Sequence, residues 1–215
     1  DIEPERSRRL EGLVNIGIDE TSYRKGHKYI TFVVNHDTNT VVWASKGYGK
    51  KVLEQFPNSK VVVRSLDAGS DKPVAFASMA DEMNPALGVR GLRVARANEA
   101  LLTRQLDAIA KAASELGRTE ETAPTWVMAP MVATAREAQW FAGLCGDRGL
   151  TAGAMIEVPA ASLMADKIMP HLRFVSIGTN DLTQYTMAAD RMSPQLAYLT
   201  DPWQPAVLRL IDHTC

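Results

Sequence analysis

The stretch Phe174-Val-Ser-Ile-Gly-Thr-Asn-Asp-Leu-Thr-Gln-Tyr-Thr-Met-Ala-Ala-Asp-Arg191 decides how the fold of this chain is interpreted. Its first four residues, Phe174–Ile177, are mostly apolar and β-prone, and they predict a buried strand that ends at a glycine. Beyond that end, the carboxylate of Asp181 can hold a hard cation through oxygen. Asn180 can donate hydrogen bonds to an anion, and Arg191 can bind a phosphate or carboxylate bidentately. The stretch therefore predicts a strand that delivers an anion and metal site.

From residue 60 onward, predicted strands and helices alternate. The strands are predicted at 61–63, 125–131, 154–157 and 174–177, and the helices at 99–116, 135–144, 160–167 and from 205 onward. Repeated β-then-α units predict a parallel sheet or barrel, so the fold class is α/β. Four such strands correspond to part of a TIM-type (β/α)8 barrel.

Residues 1–59 follow a different rhythm. Short strands predicted at 14–18, 29–35 and 40–44, with turn residues at 36–39, indicate a small antiparallel β-meander. A helix predicted over 47–56 ends at Pro57-Asn-Ser59. The change of pattern predicts two domains, 1–59 and 60–215.

Composition limits the class of protein. The chain has 215 residues, of which 46% are hydrophobic and 23% charged, so a packed core is expected. Its net charge of −1 gives no overall attraction to nucleic acid, which argues against DNA as a partner. The charged N-terminal residues and the lack of a long apolar run predict no signal peptide and no membrane insertion. Two cysteines, Cys145 and Cys215, form no metal-ligand or disulfide pattern, and we expect a reduced, cytoplasmic protein.

Polar candidates follow several of the predicted strands. Arg64, Glu157 and the pair Asn180 and Asp181 come at or just after strand ends, which converge on one mouth of a parallel barrel. Each also has an alternative interpretation. Glu157 could stabilise the following helix through its dipole, Asp181 could be a turn or N-cap residue, and Arg64 and Arg90 could form surface ion pairs. Their joint occurrence favours a binding site.

The sequence from about residue 60 resembles Enzyme I, the phosphoenolpyruvate–protein phosphotransferase family of the sugar phosphotransferase system. The resemblance rests on the following runs: Val61-Val-Val-Arg64-Ser-Leu-Asp-Ala-Gly-Ser-Asp-Lys-Pro73, Asn84-Pro-Ala-Leu-Gly-Val-Arg90-Gly-Leu-Arg93, Ala154-Met-Ile-Glu157-Val-Pro-Ala-Ala161 and the stretch quoted first. It implies a set of phosphoenolpyruvate-binding residues, namely Arg64, Arg90, Asn180, Asp181 and Arg191. It also implies Mg²⁺ as cofactor, with Glu157 and Asp181 as its ligands.

The same resemblance implies a reaction and partners. Family members transfer the phosphoryl group of phosphoenolpyruvate to one of their own histidines and then to a small histidine-containing phosphocarrier protein in sugar uptake. They form homodimers through the barrel. A related dikinase or synthase shares part of the pattern, but the continuation Gln184-Tyr185-Thr186 favours Enzyme I.

Two family features have no match in this sequence. The acceptor histidine of the family lies in a Thr-Ser-His-Ala context, which is found around none of His27, His36, His171 and His213. The proton-donating cysteine lies in a Gly-Met-Cys-Gly-Glu context, which neither Cys145 nor Cys215 has. We therefore expect binding residues without a complete catalytic set.

The N-terminal segment resembles ISL3-type transposases. The resemblance rests on Ile16-Gly-Ile-Asp-Glu-Thr-Ser-Tyr-Arg-Lys-Gly-His-Lys-Tyr-Ile-Thr31 and Val33-Val-Asn-His-Asp-Thr-Asn-Thr-Val-Val-Trp43. It implies a meander of ribonuclease-H-like type in which Asp19 is the first of three acidic metal ligands. Two-metal chemistry on DNA needs all three, and no later residue here matches the other two. A transposase-derived DNA-binding fragment or an inactive fusion product are the alternatives to a phosphoenolpyruvate-binding function.

Overall fold

A computed structural model describes residues 13, 15–24, 28–35, 38, 40–46, 58–70 and 82–215. The helix predicted at 47–56 and most of the turn predicted at 36–39 lie outside the described residues. The chain divides into two compact units, of which the first comprises Asp1–Val63 with Ala108–Trp126 and the second comprises Arg64–Asp107 with Val127–Cys215. The domain boundary near residue 59 stays a prediction.

The first unit contains an antiparallel meander. Its strands are β1 (Asn15–Arg24), β2 (Lys28–Asn35), β3 (Thr40–Lys46) and the beginning of β4 (Lys60–Arg64). β1 pairs with β2 and β2 pairs with β3, both antiparallel, whereas β1 pairs with β4 in parallel, with Ile16 opposite Val61. The predicted meander is confirmed, and its ribonuclease-H-like type stays a prediction.

β1 is longer than the sequence pattern predicted. The predicted strand ended at residue 18, but the ladder continues with Glu20 opposite Thr31 and Thr21 opposite Ile30. The polar pair Asp19-Glu20 looks like a break in the apolar pattern. The β-branched and aromatic residues that follow it keep the strand paired, because an antiparallel strand tolerates polar side chains on one face.

The second unit has α/β architecture. Its elements include β5 (Thr125–Ala129), which begins in the first unit, β6 (Thr151–Ile156), β7 (Phe174–Ile177), α1 (Leu92–Ala97), α2 (Glu99–Glu115), which ends in the first unit, α3 (Ala135–Gly146), α4 (Pro159–Leu163), α5 (Ala165–Ile168), α6 (Thr179–Thr186) and α7 (Pro205–Thr214). Short 3-10 turns lie at Pro85–Leu87, Met169–His171 and Pro194–Leu196.

Strand order in this unit follows chain order. The end of β4 lies beside β5, where the Ser65 N–H donates to the Met128 carbonyl at 2.9 Å, and β6 and β7 follow. β6 and β7 are parallel, with Ile156 opposite Ile177. Helices come between successive strands, as in β-then-α units. The predicted α/β class with parallel strands is confirmed, and closure into a TIM-type barrel stays a prediction.

The core of the second unit lies between β6 and the helices packed on it. Helix α3 begins with a capping box, in which the Thr134 hydroxyl accepts the Glu137 N–H at 3.2 Å and the Glu137 carboxylate accepts the Thr134 N–H at 2.9 Å. Its buried face includes Phe141 and the Cys145 thiol, both fully buried. Burial of Cys145 confirms the expected packing role of this residue.

Two predicted elements of this unit differ from the structure. The strand Phe174–Ile177 was predicted to be buried, but each of its residues is only partly buried. Among the described strands it pairs with β6 alone, so one of its edges has no strand beside it. The helix predicted at 160–167 is divided into α4 and α5, because Met164 leaves helical geometry at φ −110° and ψ 23°. The sequence pattern also missed α1 and α6.

Candidate anion and metal site

Arg90 lies at the centre of the candidate site, and its side chain is 0% exposed. Its Nη1 donates to Asp181 Oδ1 at 3.1 Å and to the Tyr185 hydroxyl at 3.1 Å. Its Nη2 donates to both oxygens of Asp67, at 3.3 Å each. A buried cation is tolerated only with such compensation, because breaking its ion pairs leaves an uncompensated charge. The alternative interpretation of Arg90 as a surface ion-pair partner is therefore wrong.

Two further arginines extend this arrangement on either side. Arg64 Nη1 lies 3.8 Å from Asp67 Oδ2, and Arg191 Nη1 lies 3.3 Å from Asp181 Oδ2. The side chains of Arg64 and Arg191 are 36% and 31% exposed. Positive and negative groups thus alternate across the site, and its two outer arginines are the ones that a dissolved anion can reach. The structure brings together all three arginines that the sequence predicted.

The backbone places these side chains at strand and helix ends. Arg64 is the last residue of β4, and Arg90 comes two residues before α1. The residue between them and the helix, Gly91, has φ +56°, and a Cβ on it would lie 2.9 Å from Met131 Cγ and 3.3 Å from Asp67 Oδ1. Only glycine adopts this conformation without strain and leaves this space. Gly91 therefore allows Arg90 and Asp67 to approach each other.

Asp181 lies in the first turn of α6, whose N-cap is Gly178. A carboxylate there is stabilised by the positive end of the helix dipole, so the interpretation of Asp181 as a helix-terminus residue and its predicted site role are compatible. Asp181 is buried, whereas its neighbour Asn180 is exposed. Of the residues that the structure describes, none hydrogen-bonds with the Asn180 side chain. The turn after the helix is held by Gln184 Oε1, which accepts the Arg191 N–H at 3.1 Å.

Glu157 follows β6 and is 1% exposed. Its Oε1 accepts the Met131 N–H at 2.6 Å. Burial raises the pKa of Glu157 to about 7, the Met131 N–H opposes this rise, the nearby carboxylates of Asp181 and Asp67 add to it, and Arg90 lowers the pKa. Like charges that converge on a buried carboxylate are a common feature of functional sites.

The donor set fits a hard divalent cation. Within the described ranges, no group of three or more His, Cys, Asp or Glu side chains is placed to hold a metal ion. Glu157 and Asp181 can still supply two carboxylate ligands, and Mg²⁺ commonly takes its other ligands from water and substrate phosphate. Among described residues, none donates to Glu157 Oε2. Asp181 Oδ1 and Oδ2 each accept one guanidinium N–H and keep further lone pairs.

The room around Glu157 depends on Gly178. A Cβ at this position would lie 2.7 Å from Glu157 Oε2 and 2.8 Å from Glu157 Cβ. Since real Cβ atoms essentially never approach so closely, any larger residue would push the carboxylate away. The glycine that ends β7 is therefore part of the candidate metal site.

Two residues of the site were not predicted as functional. Asp67 and Tyr185 both lie in runs that carry the family resemblance, and both contact Arg90. A signal was present for each. Tyr185 lies four residues after Asp181, which places both on one helical face, and Asp67 lies three residues after Arg64.

Comparison with known proteins places this geometry in a family. A profile of the family described as PEP-utilising enzyme, PEP-binding domain matches residues 23–215. The chain belongs to this family. Its members' shared name states what the arginines and carboxylates of the second unit are arranged to hold, and the match includes every predicted site residue. The predicted resemblance to phosphoenolpyruvate-utilising enzymes is confirmed.

Curated relatives carry the name phosphoenolpyruvate-protein phosphotransferase. The relative from Streptomyces coelicolor is 51% identical over 164 residues, which cover 75% of this chain and 29% of that protein. The relative from Geobacillus stearothermophilus is 42% identical over 177 residues, covering 76% and 29%, and that from Bacillus subtilis is 38% identical over 175 residues, covering 75% and 30%. The chain therefore spans about three tenths of the length of these relatives. The resemblance to Enzyme I is confirmed.

The comparisons leave the N-terminal segment open. The family profile begins at residue 23, inside the segment predicted to be transposase-like. The resemblance to ISL3-type transposases is not tested by these matches and stays a prediction, as does the role of Asp19. Within the described part of the chain, no helix is long and apolar enough to cross a membrane.

Proposed function

We propose that this chain forms the phosphoenolpyruvate- and Mg²⁺-binding part of an Enzyme I type phosphoenolpyruvate–protein phosphotransferase. The observation that carries the proposal is the position of Asp181 between Arg90 and Arg191, with Glu157 close enough for its ionisation to respond to Asp181. Cationic forks for an anion and carboxylates for a cation thus share one residue. A substrate that is both anionic and metal-bound fits this combination.

The anion would be bound first by the two outer arginines. Arg64 and Arg191 are partly exposed, and guanidinium forks match the carboxylate and the phosphate of phosphoenolpyruvate. Arg90 lies behind them and is held by Asp67 and Asp181, so it adds positive potential and keeps the two carboxylates in place. Asn180, exposed on α6, would donate an amide hydrogen bond to a phosphate oxygen.

Glu157 and Asp181 would hold Mg²⁺. When bound, the cation supplies charge neutralisation to the transferring phosphoryl group. This chain's own residues bind and orient the substrate, because phosphoryl transfer asks a protein mainly for positioning and electrostatic stabilisation. With a pKa raised to about 7, Glu157 is partly protonated at neutral pH until a cation favours its charged form.

The rest of the reaction is proposed from the family. The phosphoryl group would pass to a histidine and then to a histidine-containing phosphocarrier protein in sugar uptake, in the cytoplasm, and a homodimer would form through the barrel. His171 and His213 are exposed and belong to no contact described for the site. The fold that would carry this function is part of a TIM-type barrel, in which active sites lie at the carboxyl ends of the strands. A meander of ribonuclease-H-like type would precede it.

Three alternatives make different predictions. A pyruvate phosphate dikinase or phosphoenolpyruvate synthase would bind the same substrate but would pass the phosphoryl group to a different acceptor. A transposase-derived DNA-binding fragment would bind DNA with an affinity that falls steeply with salt. An inactive fusion product would bind none of these ligands.

Calorimetric titration of phosphoenolpyruvate into the purified chain with Mg²⁺ present tests the proposal. We expect saturable 1:1 binding, weakened at least about tenfold in Arg191→Gln, because a charge-assisted bidentate contact is lost. Arg209→Gln removes an exposed arginine of α7 and serves as the matched control. Absence of binding in the unmodified chain, or equal binding by both variants, would refute the assignment.

A further inference from the structure

Asp67 is the one carboxylate of the site that the proposed function leaves without a role. Its side chain is 3% exposed. Both of its oxygens accept from Arg90 Nη2 at 3.3 Å, and its Oδ2 also lies 3.8 Å from Arg64 Nη1. A single carboxylate thus neutralises the buried arginine and one of the two arginines that a dissolved anion can reach.

The charges of the site are balanced when no ligand is present. Three arginines (Arg64, Arg90 and Arg191) face three carboxylates (Asp67, Asp181 and Glu157). An anion that enters alone must compete with Asp67 for Arg64 and with Asp181 for Arg191, and it leaves an excess of negative charge. Because charges in a partly buried site are weakly screened, this excess is costly. A divalent cation that enters with the anion removes the excess.

We propose that Asp67 is a positioning residue whose charge makes binding of the anionic substrate depend on the divalent cation, an inference that rests on the proposed function. Asp67 belongs to no group of three metal ligands, and it acts through the arginines that it holds. The dependence is reciprocal, because the cation must raise the affinity for the anion by the same factor as the anion raises the affinity for the cation.

The proposal is tested by the ratio of two dissociation constants. Phosphoenolpyruvate is titrated into the folded chain in EDTA and in saturating Mg²⁺, and the first Kd is divided by the second. We expect a ratio of roughly 5 to 150 for the unmodified chain, the usual range of coupling between sites. In Asp67→Asn the ratio falls by about tenfold, chiefly because Arg64 becomes available to the anion in EDTA.

A second variant predicts a change of opposite sign. Arg64→Gln removes a positive charge and leaves the site with an excess of negative charge, so its ratio should exceed that of the unmodified chain. Since Arg64 is 36% exposed, this variant keeps the test decisive if Asp67→Asn fails to fold. The matched control is Asp107→Asn, which breaks the ion pair between Asp107 Oδ1 and Arg148 Nε at 2.6 Å, outside the site. Its ratio should equal that of the unmodified chain.

The outcomes separate this inference from the proposed function. A purely structural role of Asp67 would weaken both measurements equally and leave the ratio unchanged, which would overturn the inference while phosphoenolpyruvate still binds. A ratio in Arg64→Gln that stays constant or falls would overturn it as well. If the unmodified chain binds phosphoenolpyruvate in neither condition, the proposed function and the inference fail together.

Discussion

Glu157 Oε1 accepts the backbone N–H of Met131 at 2.6 Å, and Met131 adopts φ +59°. A left-handed conformation is uncommon for a residue other than glycine and is sustained only where the surroundings require it. Here it accompanies a backbone donor directed at a buried carboxylate. The contact ties the end of β6 to the segment after β5, so the carboxylate of Glu157 is held before any ligand arrives.

The raised pKa of Glu157 predicts a stability that depends on pH. The folded chain holds the Glu157 proton up to about pH 7, while an unfolded chain loses it near the ordinary value of 4.5. Between these values the folded state binds more protons, so stability falls as pH rises from about 4.5 to 7 and is constant above that range. The difference corresponds to at most roughly 3 kcal/mol. Chemical denaturation at several pH values measures it.

The control for this pH effect is Glu157→Gln, which cannot ionise. We expect this part of the pH dependence to disappear in the variant and to shrink in the unmodified chain when Mg²⁺ is present, because the cation favours the charged carboxylate. An unfolding free energy of Glu157→Gln that falls between pH 4.5 and 7 as steeply as that of the unmodified chain would contradict the account.

Replacement of Gly178 by alanine should disturb the metal site. The new Cβ would lie 2.7 Å from Glu157 Oε2, so the carboxylate must move and the affinity for Mg²⁺ should fall at least about tenfold, as for disturbed groups that orient metal ligands. Gly143→Ala is the control. Its Cβ meets nothing within 4 Å, and alanine in an exposed helix interior should add about 0.5–1 kcal/mol of stability. Equal Mg²⁺ affinity in Gly178→Ala and the unmodified chain would show that the glycine does not shape the site.

Removal of the Tyr185 hydroxyl tests how Arg90 is held. The hydroxyl accepts from Arg90 Nη1 at 3.1 Å and donates to the Ala86 carbonyl. In Tyr185→Phe two hydrogen-bonding groups lose their partner, and we expect a loss of about 1–3 kcal/mol in the free energy of unfolding. Tyr198→Phe is the control, because Tyr198 is 70% exposed, and should change stability by less than about 0.5 kcal/mol. Urea denaturation of both variants compares them, and equal losses would contradict the assigned contact.

The two thiols should react at very different rates. Burial raises the pKa of Cys145 to about 12, an effect that Arg148 only partly opposes, while Cys215 is exposed. Since the thiolate is the reactive form, a thiol reagent should label Cys215 quickly and Cys145 only upon unfolding. Mass spectrometry of the chain after brief labelling, with and without denaturant, measures this. Two equally fast thiols in the native chain would contradict the packing of α3.

Local patterns predicted much of this molecule. Alternating β-prone and amphipathic segments gave the order of elements, and the charged residues that follow strands gave Arg64, Glu157 and Asp181. These predictions succeed because a parallel strand presents its end residues at one edge of the sheet. The spacing of Asp67 and Tyr185 from predicted site residues was equally visible, but their contacts with Arg90 require segments far apart in sequence to meet.

Other features depend on tertiary context. The partial exposure of Phe174–Ile177 follows from its place beside β6 alone, which an apolar pattern does not encode. The left-handed backbone of Met131 follows from the donor that Glu157 requires, since nothing in methionine favours it. The break at Met164 likewise interrupts a segment with continuous helical periodicity. Each is set by packing between segments rather than by local preference.

The central claim is that Asp181 joins an anion site to a cation site, and thermal unfolding with phosphoenolpyruvate and Mg²⁺ tests it most directly. A ligand that binds only the folded state at 100 times its Kd adds about 2.7 kcal/mol, so the ligand-linked transition should move to a higher temperature. Asp181→Asn should abolish this shift, while Asp166→Asn, at an exposed residue paired with Lys167, should retain it. A cooperative transition that phosphoenolpyruvate and Mg²⁺ leave unmoved, or a shift that persists in Asp181→Asn, would contradict the account.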